Sequence, residues 1–128
     1  MSDFSDKKIL IVEDERPIRD VLVDALRGIG VQVAEAKDGQ EGLVKAEEMK
    51  PDLILLDVLM PRMDGRAMLS ELQKKDAIAN TPVIFLTNLS EIQTISEVIS
   101  EQVPEYIIKS DWSIEEVIEK IKSQLKTA

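Results

Sequence analysis

Short apolar runs alternating with longer segments of helical period constrain this chain more than any other feature of its sequence. The first run, residues 8–12 (Lys8-Ile9-Leu10-Ile11-Val12), is apolar on both faces, as a strand buried inside a parallel sheet should be. The second, residues 31–36, alternates apolar and polar side chains and so predicts an edge strand. Residues 52–56, 83–86 and 106–108 supply three more runs of the same kind. Between them the period lengthens. Ile18, Val21, Leu22, Ala25 and Leu26 mark a first helix, with Pro17 suited to its first turn and Gly28 and Gly30 to its end. Asp38 followed by Glu41 reads as a capping box for a helix through Leu43, Ala46 and Met49, which Pro51 stops. Asp64-Gly65 precedes a third helix bearing Met68, Leu69 and Leu72, and Ile92, Ile95 and Ile99 mark a fourth. The last carries Ile114, Val117, Ile118, Ile121 and Leu125, with Ser113 and Glu116 as a capping box and Trp112 placed to staple onto Val117.

Strands and helices in strict alternation predict an α/β sandwich, its parallel sheet joined by right-handed crossovers. For five strands the usual doubly wound order is 2-1-3-4-5, with the ligand crevice at the carboxyl ends beside the first and third strands. A length of 128 residues fits one domain over 1–128, with a core from about residue 6 to 126 and no appended output domain expected. The chain has no cysteine and no histidine, which removes disulfides, thiolate or imidazole zinc sites and a Ser-His triad. A net charge of −9 without a basic patch argues against a nucleic-acid partner. The apolar runs are too short to span a bilayer, and residues 1–6 do not form a signal peptide, so a cytoplasmic protein without a membrane partner is expected.

The polar residues converge on that crevice. Glu13-Asp14 follows the first strand and Asp57 the third, while Thr87 ends the fourth and Lys109 the fifth. Three carboxylates so close repel one another, and a hard dication such as Mg²⁺ relieves the conflict while keeping positions open for phosphate oxygens. Glu13, Asp14 and Asp57 are therefore read as metal-binding groups, Glu13 directly or through a water. Asp57 can also attack phosphorus as a nucleophile, with Lys109 giving a fixed positive charge and Thr87 a hydrogen bond to the phosphoryl oxygens.

The pair Glu13-Asp14 and the run Asp57-Val58-Leu59-Met60-Pro61-Arg62-Met63-Asp64-Gly65, taken with Thr87 and Lys109, resemble the receiver domain of two-component response regulators across essentially the whole chain. The resemblance implies a flavodoxin-like (βα)5 fold of the stand-alone, chemotaxis-regulator kind. It implies Mg²⁺-dependent transfer, with Mn²⁺ able to substitute, from the phosphohistidine of a sensor histidine kinase or phosphotransfer protein to Asp57. The backbone carbonyl of Leu59 becomes a further metal ligand, and Thr87 and Tyr106 become a switch pair. The responding face would combine the helix bearing Ile92, Ile95 and Ile99 with the fifth strand and the last helix. It would bind a downstream protein, the chain acting as a monomer or a phosphorylation-dependent dimer. Such a protein is not a conventional enzyme, though it catalyses its own phosphorylation and slow dephosphorylation. A chain without histidine can accept from phosphohistidine but cannot carry it.

The sequence departs from the family at two places. Ser110 stands where the family has a proline after its lysine, and a non-proline cis bond costs about 2.5–4 kcal/mol, which favours trans at Lys109–Ser110. Asn88 replaces a small residue after Thr87. These departures sustain an alternative, a receiver-like scaffold whose partner binding ignores phosphate. A haloacid-dehalogenase type of hydrolase fits less well, because Leu59 occupies the place of its second acid. An electron carrier of the flavodoxin type would find its phosphate repelled by Glu13-Asp14-Glu15. Gly65 is expected to serve backbone geometry after Asp64, and Met60 and Met63 to serve packing. The resemblance implies that Leu59 and Asn88 stand at the mouth through which water would reach an acyl phosphate at Asp57. Leu59→Asn is expected to shorten the lifetime of that phosphate, measured as its loss over time in intact-mass spectra; equal lifetimes would remove the shielding role.

Overall fold

Strands β1 (Lys8–Val12), β2 (Gln32–Ala36), β3 (Leu53–Asp57), β4 (Val83–Thr87) and β5 (Glu105–Ile108) form one sheet in the order β2-β1-β3-β4-β5, every neighbouring pair parallel. The computed structural model describes residues 4–58, 65–75, 81–87, 105–108 and 112–127, with the backbone alone described at 66, 73, 87, 105, 106, 108, 126 and 127. Helices α1 (Arg16–Gly28), α2 (Gly39–Met49) and α3 (Gly65–Gln73) and a C-terminal helix (Ile114–Thr127) accompany the sheet. The helix expected around Ile92, Ile95 and Ile99 lies outside the described residues.

The pleat divides the core in two. Ile9 and Ile11 of β1, Leu53 and Leu55 of β3, and Ile84 and Leu86 of β4 meet α1 and the C-terminal helix through Leu22, Leu26, Val117 and Ile121. The intervening residues Leu10, Val12, Ile54, Leu56, Val83 and Phe85 face the other way and meet Ala46 of α2 and Met68, Leu69 and Leu72 of α3. All five residues of β3 are buried, as its central place requires, whereas only Ala36 of β2 is. The alternation in residues 31–36 thus marks the edge strand expected of it.

Local signals end the helices where the sequence suggests. Asp38 accepts the amide of Glu41 at 2.9 Å, and Glu41 accepts in return from Lys37 at 3.2 Å, one residue ahead of the cap. Lys50 takes the left-handed conformation that ends α2, and Gly30 does the same beyond α1 at φ 93°. Ser113 accepts from the amide of Glu116 at 3.2 Å, and Trp112 packs half-buried against the cluster that contains Val117.

Three details differ from the sequence reading. The third strand runs through Asp57 rather than stopping at Leu56, because the ladder to β4 continues: Asp57 pairs with Leu86, and the Val58 amide donates to the Leu86 carbonyl at 3.1 Å. Asp52 stands before the strand and closes the opposite end of the sheet, its carboxylate accepting the Lys8 amide at 2.8 Å. The core also begins earlier than residue 6. Phe4 is buried in the cluster that holds Ile9, Ile11 and Leu22, where a turn from Lys7 N–H to the Phe4 carbonyl (2.9 Å) and a bond from Gln32 to the Ser5 carbonyl (3.0 Å) tie down its segment.

The outer rim of β2 is partly covered by side chains. Lys45 of α2 donates to the Glu35 carbonyl, and Arg19 of α1 pairs with the Glu35 carboxylate at 3.1 Å. Among the described residues no helix is long and apolar enough to cross a membrane. Phe4→Ala is expected to destabilise the protein by about 3–5 kcal/mol in urea titrations, since it removes a buried ring from the main cluster; a change within error would show that the terminal segment does not contribute to the core.

Candidate functional site

The register of β1 against β3 builds the site. Their last pair is Val12 with Leu56, so the next residues, Glu13 and Asp57, emerge side by side at the carboxyl edge. Glu13 stays on the ladder, its amide donating to the Ala36 carbonyl at 3.0 Å. Both acids fall on the alternation of Ile9, Ile11, Leu53 and Leu55, and both are buried, Glu13 at 0% and Asp57 at 2% exposure. Asp14 is exposed beside them, and one oxygen from each of the three carboxylates lies within 4.8 Å of the others.

The backbone around these acids is tied down on both strands. Glu13 Oε2 accepts the Glu15 amide at 3.0 Å, which folds the turn after β1. The Glu13 carbonyl accepts from Arg19 Nη1 at 2.8 Å. On β3, the Val58 carbonyl accepts the amide of Gly65 at 2.8 Å, docking the start of α3 onto the strand end. Only glycine permits that approach: a Cβ at Gly65 would stand 2.4 Å from the Asp57 carbonyl oxygen and 3.0 Å from Val58 Cα. Gly42 plays a similar part in α2, where an added Cβ would meet Val12 Cγ2 at 2.9 Å and Met68 at 3.0 Å.

A donor set made only of carboxylate oxygens suits a hard dication. Mg²⁺ takes one or two carboxylates and keeps waters, whereas softer metals favour the nitrogen and sulfur donors this cluster lacks. Two buried anions side by side also repel strongly in a medium that screens poorly, and a cation between them offsets this. Glu13, Asp14 and Asp57 therefore fit the group the sequence reading assigned to them.

The remaining site residues are placed in part. Thr87 is the last residue of β4, opposite Ile108 of β5 and one step past Leu86, the partner of Asp57, so its backbone reaches the same edge. Tyr106 lies in β5 opposite Phe85. Leu59, Asn88, Lys109 and Ser110 lie outside the described residues. Gly65 serves backbone geometry as expected, although its close approach to the Asp57 carbonyl needs spatial information, with a glycine opening a helix as the one hint. Sequence reasoning missed Arg19. Arg19 had a clearer signal, because 19, 22, 23 and 26 share helical spacing and the other three residues are the buried face of α1.

Comparisons with known proteins identify the family and the fold. A family model described as "Response regulator receiver domain" matches residues 9–122. The chain is 36% identical over 97% of its length to a probable transcriptional regulator ycf27 of Cyanophora paradoxa, covering 50% of that protein. It is 31% identical over 93% of its length to the DNA-binding dual master transcriptional regulator RpaA of Synechocystis, covering 49% of it. The chain thus spans about half the length of these curated relatives. Among solved structures, the Vibrio cholerae chemotaxis protein CheY4 superposes with a TM-score of 0.84 at 26% identity, over 91% of this chain and 97% of that one.

Gly65→Ala is expected to cost about 1–3 kcal/mol by overpacking against Asp57. It should also weaken Mg²⁺ binding, because the strand end must shift. Denaturant titration and calorimetry measure the two effects, and an unchanged metal affinity would separate the helix start from the site.

Proposed function

The chain belongs to the response regulator receiver domain family of two-component systems, and from that premise we propose that Asp57 accepts a phosphoryl group in a Mg²⁺-dependent transfer. The observation that carries this reading is the gathering of Glu13, Asp14 and Asp57 at the joined ends of β1 and β3. A nucleophile fixed in a strand and buried at 2% exposure has little freedom to lose on reaching the transition state.

In the proposed step an Asp57 carboxylate oxygen forms a bond to phosphorus as the P–N bond of a phosphohistidine breaks. The electron pair passes to the imidazole nitrogen, which takes up a proton, and the product is a mixed anhydride on Asp57. Glu13, Asp14, Asp57 and the Leu59 carbonyl would hold Mg²⁺, which when bound neutralises charge on the transferring oxygens. Lys109 gives a positive charge to a phosphoryl oxygen, and the Thr87 hydroxyl gives it a hydrogen bond. Nearly two new negative charges at one point then draw in the loops after β4 and β5, and Tyr106 reports the change. In this reading the responding face would be the one the resemblance implies, the segment bearing Ile92, Ile95 and Ile99 with β5 and the C-terminal helix.

The donor in this reading is a sensor histidine kinase or a phosphotransfer protein, and the output is binding of a downstream protein. Relatives named as transcriptional regulators make transcription one place where the signal could arrive. A net charge of −9 turns this stretch itself toward protein rather than nucleic acid.

Incubated with acetyl phosphate and Mg²⁺, the wild-type chain is expected to gain one phosphoryl increment in intact-mass spectra, whereas Asp57→Asn gains none. Chelation of the metal and Asp14→Ala should each suppress the gain. A phosphate-indifferent scaffold would show no increment in any sample, and an equal increment on Asp57→Asn would move the acceptor elsewhere.

A further inference from the structure

Arg19 is the one arginine on the buried stripe of α1, its side chain only 15% exposed, and its guanidinium makes two directed contacts. Nη1 donates to the Glu13 carbonyl at 2.8 Å, and Nε pairs with Glu35 Oε1 of β2 at 3.1 Å. The carbonyl it holds belongs to the peptide that joins Glu13 to Asp14. Fixing that one plane therefore orients two of the three clustered acids at once. The same residue is held from the other side, because the Glu13 amide donates to Ala36, the neighbour of Glu35. Glu35 is itself anchored, its carbonyl accepting from Lys45 of α2.

We propose that Arg19, held by Glu35, is a positioning residue that sets the Glu13–Asp14 peptide for metal binding before the ion arrives. This rests on reading Glu13, Asp14 and Asp57 as the metal-holding set. Partners behind metal ligands commonly have this effect, and losing one costs roughly 10–100-fold in affinity. Here the sign of the effect separates positioning from charge. A guanidinium beside the site repels a dication, so removing it should tighten binding if the field alone mattered. If Arg19 instead orders the peptide, removing it loosens the site and binding weakens.

The test is a set of Mg²⁺ titrations by calorimetry on the full chain. Arg19→Gln is expected to weaken binding about tenfold relative to wild type. Glu35→Gln, which keeps the Arg19 charge and removes its tether, should weaken it in the same direction by less. Arg19→Lys keeps the charge but cannot make both directed contacts, so it should restore little. Arg16→Gln, which removes a cation that is 81% exposed and pairs with Asp20, should leave binding unchanged or tighter.

A second readout needs no metal. The Glu15 amide, which donates to Glu13 Oε2 at 3.0 Å, should exchange with solvent deuterium faster in metal-free Arg19→Gln and Glu35→Gln than in wild type. Binding by Arg19→Gln as tight as wild type or tighter overturns the proposal, and so does an unchanged Glu15 exchange rate. Should Arg19→Gln fail to fold, Glu35→Gln decides by the same two criteria. A wild-type chain that binds no Mg²⁺ would refute the function proposed above, while the exchange measurement would still decide the role of Arg19.

Discussion

The pairing of β1 with β3 is the constraint on which the rest depends. The parallel ladder from Ile9–Leu53 to Val12–Leu56 sets their register, and a slip of one residue would exchange the side chains that each core layer receives and carry the acids at the strand ends out of line. With the register fixed, Glu13 and Asp57 have no means of moving apart. Their mutual repulsion is built into the sheet and is sustained by the burial of the two core clusters behind it. A cation drawn to this point is held by strand ends, which keep side chains in place better than free loops do.

Small side chains and one long one support that edge. Gly65 lets α3 begin against the Asp57 carbonyl, and Gly42 lets α2 lie close to Val12 and Met68. Arg19 does from the α1 side what these glycines do from the other face, holding backbone rather than filling space. The geometry of the acids is thus shared among three helices, none of which contributes a carboxylate to the cluster.

Much of this was legible in the sequence because hydrophobic period is a local property. The continuous run at residues 8–12 and the alternating one at 31–36 announce a central and an edge strand, and the sheet order then brings Asp57 beside Glu13. Asp38 with Glu41 and Ser113 with Glu116 mark helix starts for the same reason. Contacts between segments distant in the chain were not legible. Nothing near Gly65 in sequence says that the Asp57 carbonyl will stand where its side chain would go. Phe4 lies ahead of any periodic pattern, and its burial follows only once β1 and α1 have assembled. Arg19 lay between, since its place on an apolar stripe was visible but its partners on β1 and β2 were not.

The covered rim of β2 affects how copies of this chain can meet. An open outer strand offers unpaired amides and carbonyls that a neighbour can extend, the usual route to sheet-by-sheet stacking and fibres. Here Lys45 occupies the Glu35 carbonyl, and the Arg19–Glu35 pair lays charge along the same border. A second molecule would have to strip both contacts and desolvate the ions before it could add a strand. Strand addition by a second copy is thereby disfavoured along this border of the sheet.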